Sequence, residues 1–89
     1  MKKINKKDFV SAEDTISMSP GEMLAALREL QELTQNELAL LTGMTQANIS
    51  NMESGRQQIG RERAITLAKA LKVHPAVIMF PNYQLEEAA

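Results

Sequence analysis

The sequence predicts an all-α fold of five short helices joined by short turns in an orthogonal bundle. Three observations predict it. Helix-starting and helix-stopping residues recur at short intervals from Ser19 onward. Between them, apolar residues repeat at three- and four-residue spacing. No stretch from Ser19 to Asn82 shows the two-residue alternation of a strand.

The elements follow in chain order. Residues 1–18 have no clear period and read as an arm; Phe9, Val10, Ile16 and Met18 are its apolar members, and Ser11 with Asp14 fits the start of a short helix. Ser19-Pro20-Gly21-Glu22 combines a capping box with proline at the first helical position. Met23, Leu24, Leu27 and Leu30 then form one apolar stripe, predicting a helix that ends near Leu33. Thr34-Gln35-Asn36-Glu37 is a second capping box, opening a helix with Leu38, Ala39, Leu41 and Thr42. Gly43 stops it, because glycine takes the left-handed turn at a helix end without steric penalty. Thr45 caps a third helix over Gln46 to Glu53, stopped by Ser54-Gly55. Arg61 to Lys72 predicts a fourth, with Ala64, Leu67, Ala68 and Leu71 on one face. His74-Pro75 begins a fifth, ended by Pro81. Residues 19–83 therefore form the expected domain, and residues 84–89 a tail.

Composition bounds the function. Eighty-nine residues, 44% apolar, make one small domain with a thin stability margin, of a size at which many chains gain from dimerisation. The absence of cysteine excludes disulfides, thiolate metal sites and a cysteine nucleophile. No phosphate-binding loop or paired-carboxylate pattern supports an enzyme, and no cofactor or metal site is expected. The basic N-terminus lacks the apolar segment of a secretory signal, and no apolar run is long enough to span a membrane, so a cytoplasmic protein is expected. The net charge of −1 argues against strong sequence-independent binding to polyanions. The basic residues are nevertheless clustered, with Lys2, Lys3, Lys6 and Lys7 in the arm and Arg56, Arg61 and Arg63 after the third helix.

Function is concentrated in the pattern helix, Gly43-Met44, helix. This is a helix-turn-helix, whose second helix can enter the DNA major groove, and Ala39 is small where the two helices must cross closely. At about 100° per residue, with Gln46 at zero, Ser50 lies near 40°, Ser54 near 80°, Ala47 near 100° and Asn51 near 140°. Ile49 and Met52 lie near 300° and 240°, and Glu53 near 340°, at the edge of the core side. One face is therefore small and polar and the other apolar. Glutamine and asparagine amides both donate and accept, which matches the N6 and N7 of adenine, and alanine packs on a thymine methyl. Gln46, Ala47, Ser50 and Asn51 are the expected base contacts. Gln35, Thr45, Ser54, Arg56 and Gln57 lie at helix N-termini or just after the third helix, and are expected at phosphates.

Three strings of residues resemble a known family. Leu33-Thr34-Gln35-x-Glu37-Leu38-Ala39, Thr42-Gly43-Met44-Thr45-Gln46 and Ile49-Ser50-x-Met52-Glu53-Ser54-Gly55-Arg56 look like the Cro and lambda-repressor-like, or XRE, family. Leu67-Ala68-x-Ala70-Leu71-x-Val73 matches its fourth helix. The resemblance implies a five-helix fold, operator double-stranded DNA as partner and a homodimer on a palindromic site. It also implies a structural ion pair between Arg28 and Glu53. The chain departs from the family pattern at Gln57-Gln58-Ile59-Gly60, where a proline commonly stands. Short strings at Ser19–Leu24 and His74–Pro81 are similar to HigA-type antitoxins. The alternative is therefore an antitoxin that neutralises a toxin partner, with residues 1–18 as the candidate toxin-binding arm, and that also autoregulates its operon.

Two expectations complete the reading. His74, the only histidine, is a helix-start residue and not a ligand or base. Val77, Ile78, Met79, Phe80 and Tyr83 exceed what one short helix can bury, so this end is expected to form the dimer contact.

Overall fold

The structure is a computed structural model that describes residues 17–82. The described residues form five helices and no strand: α1 (Pro20–Leu30), α2 (Gln35–Thr42), α3 (Gln46–Ser54), α4 (Arg61–Leu71) and α5 (Pro75–Met79). The all-α bundle of five short helices expected from the sequence is the fold observed. The suggested helix start at Ser11 and the tail 84–89 lie outside the described residues.

Local chemistry sets the starts. Ser19 and Thr34 each close a full capping box with Glu22 and Glu37. Thr45 caps α3 by accepting from the Asn48 amide. His74 starts α5, its Nδ1 accepting from the Ala76 amide at 3.0 Å. Each such cap contributes about 1 kcal/mol by satisfying an amide that has no partner inside the helix.

The end of α1 differs from expectation. The helix stops at Leu30 and not near Leu33. Glu32 takes a left-handed backbone, φ 60°, while its amide donates to the Glu29 carbonyl and the Leu33 amide to the Arg28 carbonyl. That is the hydrogen-bond pattern of a Schellman ending, normally marked by glycine. A glutamate carries it here, so no residue type announces the stop. α4 ends in the same way one residue before the predicted Lys72, which itself adopts φ 61°.

The core is made by Leu24, Leu38, Ile49, Met52, Leu67, Leu71 and Ile78, all fully buried. Every helix contributes, with α1 packing on α3 and α5, α2 on α3 and α4, and α4 on α5. Burying each of these large side chains stabilises the fold by roughly 2 kcal/mol. Ala39, Ala64 and Ala68 are also buried. Ile78 corrects the expectation of a dimer contact at that position. It is buried in its own domain because α5 turns one face onto α1 and α4.

Candidate nucleic-acid interface

α2 and α3 are joined by a turn whose geometry is local. Gly43 has φ 76°, a conformation that a side chain disfavours. The Met44 amide closes the turn on the Ala39 carbonyl at 3.1 Å. Ala39 is buried in the core, on a helix that packs against α3.

Beyond the turn, α3 presents the two-sided surface predicted for it. Ile49 and Met52 face the core. Gln46 and Ala47 are exposed, and Ser50 and Asn51 are half-buried on the same outer side. None of the four is sealed inside the protein. Asn48 has a role the sequence reading did not assign: its Oδ1 accepts the Thr45 hydroxyl at 2.9 Å, locking the cap. The Thr45 hydroxyl is thereby used within the chain. The Ser54 hydroxyl likewise donates to the Asn51 carbonyl at 3.2 Å.

A continuous hydrogen-bond chain runs beneath this face. Arg28 grips Glu53 with two nitrogens, Nε to Oε2 at 2.6 Å and Nη2 to Oε1 at 3.1 Å. The side chains are 12% and 8% exposed, so the pair is shielded from water. Glu53 raises the pKa of the Arg28 guanidinium by its hydrogen bond, outweighing the opposing effect of burial. Nη1 of Arg28 also donates to the Leu33 carbonyl at 2.7 Å, tying down the turn after α1. Glu53 Oε1 then accepts from Gln35 Nε2 at 2.9 Å, and Gln35 Oε1 accepts from Gln46 Nε2 at 2.6 Å. Gln35, expected at a phosphate, thus bridges the buried pair and Gln46. It retains one amide hydrogen for an outside acceptor. The sequence reading found all four residues but not the chain that joins them.

The segment after α3 is basic. Arg56 is exposed, with no ion pair among the described residues. Arg63 lies against Gln57, whose side-chain oxygen, turned toward it, accepts from Nη1 and Nη2. Arg61 and Arg63 flank the start of α4, where Gly60 supplies no side-chain cap. The N-terminal amides of α4 therefore lack the side-chain acceptor that caps α1, α2, α3 and α5.

At the far end, Val77 and Phe80 are exposed, while Met79 is partly buried. Phe80 and Met79 line an open apolar groove with Met18, Pro20 and Pro81. Asn82 holds the backbone of Met18 by two hydrogen bonds of 2.9 Å, so both ends of the described chain meet here. Tyr83 lies outside the described residues.

Comparison with known proteins agrees with this geometry. The family described as Helix-turn-helix matches residues 24–78. The chain is 40% identical over 68 residues to the HTH-type transcriptional repressor RghR of Bacillus subtilis, covering 75% of this chain and 50% of that protein. It is 38% identical over 61 residues to the HTH-type transcriptional regulator y4dL of Sinorhizobium fredii, covering 68% and 30%. The chain thus spans half or less of the length of these relatives. Among solved structures it is similar to the P22 c2 repressor in complex with a synthetic operator, with TM-score 0.68, 25% identity and coverage of 72% and 97%. It is also similar to the restriction-modification controller protein C.AhdI of Aeromonas hydrophila, with TM-score 0.65, 28% identity and coverage of 67% and 91%. With the matching family profile spanning α2 and α3 and most of the bundle around them, the chain belongs to the helix-turn-helix family of the Cro and lambda-repressor-like (XRE) kind.

Proposed function

We propose that this chain is a sequence-specific DNA-binding transcriptional regulator, a repressor that reads a palindromic operator as a homodimer. The observation that carries the reading is the pose of Gln46. Its Nε2 donates to Gln35, which leaves the Oε1 and one amide hydrogen of this exposed residue without a partner among the described residues. One acceptor beside one donor is what adenine recognition in the major groove requires. Ala47, Ser50 and Asn51 extend the reading surface along the same helix. Arg56, the amide hydrogen left on Gln35 and the N-terminal amides of α2 and α3 supply phosphate contacts. The Thr45 and Ser54 hydroxyls already donate within the chain, and near Thr45 the phosphate contact falls to the first backbone amides of α3. The repressor named among the relatives, and the operator complex of the P22 c2 repressor, support the same reading.

The homodimer rests on the exposed Val77 and Phe80 at the end away from the turn. Two copies joined there set two α3 helices on successive major grooves, which requires a separation of about 34 Å. Among the described residues no helix is long and apolar enough to cross a membrane.

The test is selection of bound sequences from random duplex DNA by the purified protein. A consensus with two inverted half-sites is expected. Enrichment of no sequence refutes DNA reading, and a single half-site refutes the dimer.

A further inference from the structure

We infer that Gly21 is a positioning residue for DNA readout, because it lets the first turn of α1 rest directly on the backbone at the end of α3. The inference rests on the DNA-binding reading above and adds a residue to it. Gly21 is buried. A β-carbon built on it would lie 2.2 Å from the Met52 carbonyl oxygen, 2.8 Å from that of Glu53 and 3.1 Å from the Glu53 carbonyl carbon. All three atoms are main chain, so no side chain can swing aside. Gly43, Gly55 and Gly60, by contrast, have nothing within 4 Å of the same position.

The backbone of Gly21 is ordinary helix, and only the close approach demands glycine. In place of a β-carbon its hydrogen points at the Met52 carbonyl, the arrangement of a weak Cα–H···O contact. The positive first turn of α1 also meets the last carbonyls of α3, which is the favourable order of helix dipoles.

The consequence lies at the other end of α3. Seven residues, close to two full turns, separate Gly21 from Arg28, so both lie on one stripe of α1. That stripe holds α3 at two points, by its main chain at Met52 and Glu53 and by the carboxylate of Glu53. The carboxylate in turn holds Gln35 and, through it, Gln46. A β-carbon at position 21 must part the two helices by roughly an ångström before contact becomes ordinary. The main-chain support of α3 would then shift relative to its side-chain anchor. Recognition tolerates such an offset poorly, since a constellation about 1 Å too loose loses function even when every residue is present.

The test randomises codon 21 in the full chain and applies two selections to the same displayed library, survival of protease and retention on the wild-type consensus DNA. Gly21→Ala is then purified, with Gly60→Ala as a control in open space and Leu71→Ala as a control that weakens the core away from this contact. All are assayed at a temperature where circular dichroism shows each fully folded. The expected result is that alanine and serine at position 21 survive protease but are lost from the DNA-bound pool. In purified Gly21→Ala, operator affinity falls about tenfold or more while affinity for unrelated duplex stays within about twofold. Leu71→Ala and Gly60→Ala keep the wild-type ratio.

Three results overturn the inference. A Gly21→Ala protein with the wild-type ratio of specific to non-specific affinity does so alone. Failure of every other residue at position 21 in the protease selection does so too, because glycine would then serve stability only. A wild-type chain that enriches no sequence overturns the DNA-binding reading and this inference together.

Discussion

Gln46 stands at the end of a chain of polar contacts that begins with an ion pair shielded from water. Because it is tethered by one hydrogen only, its remaining donor and acceptor are oriented in advance. Replacing it with alanine should cost specific binding roughly 10- to 100-fold, the worth of one bidentate base contact, and leave non-specific binding unchanged. Titration against consensus and scrambled duplexes measures both; equal loss on the two would show that Gln46 does not read bases. Arg56 predicts the opposite signature. Arg56→Ala should weaken binding to all sequences and lower the slope of log affinity against log salt by about one. Glu53 carries the heaviest structural load of the group. Glu53→Ala leaves the 12% exposed Arg28 side chain only the exposed Glu29 carboxylate, 3.6 Å away, and should cost about 3 kcal/mol in urea denaturation. The guanidinium, with its pKa raised by Glu53, contributes stability at every pH below its unfolded value and loses it only in strong alkali. The guanidinium should therefore add no pH dependence across the neutral range.

At the scale of elements, helix ends decide where the binding surface lies. The turn between α2 and α3 depends on φ 76° at Gly43 in otherwise open space. Gly43→Ala should destabilise the domain by about 1 kcal/mol through backbone strain alone. The reverse change is available at Glu32, which holds φ 60° with a side chain. Glu32→Gly should raise stability by a few tenths to about 1 kcal/mol, since the strain it relieves exceeds the chain entropy it adds to the unfolded state. Thermal melts of the two variants should move in opposite directions. A fall in melting temperature for Glu32→Gly would mean that the left-handed turn after α1 is not strained.

Across the whole molecule, the reading helix and the exposed apolar end are separate surfaces of one small bundle. α5 is both a core element, through Ile78, and the carrier of exposed Val77 and Phe80. Phe80→Lys should therefore spare the fold while disrupting self-association. Sedimentation equilibrium should give a monomer, and affinity for the full palindrome should fall more than about tenfold as the linkage between half-sites is lost. Affinity for an isolated half-site should not change. A Phe80→Lys protein that remains dimeric would move the contact elsewhere.

The helix starts and the outer face of α3 were legible in the chain because they depend on neighbours one to four residues away. Capping boxes at Ser19 and Thr34, proline after Ser19 and His74, and the stripe of Ile49 and Met52 are interactions within a single turn or two. The stop at Leu30 was not legible, because a glutamate took a conformation that glycine usually marks. Three further features depend on residues distant in sequence. Ile78 is core and not interface because α5 folds back onto α1 and α4. Gln35, on α2, joins the two ends of α3 by bridging Glu53 and Gln46, and is not simply a phosphate donor. Gly21, read along the chain as part of a cap, meets main-chain atoms more than thirty residues away. Periodicity assigns a side chain to a face, but only packing establishes which partner occupies the space in front of it.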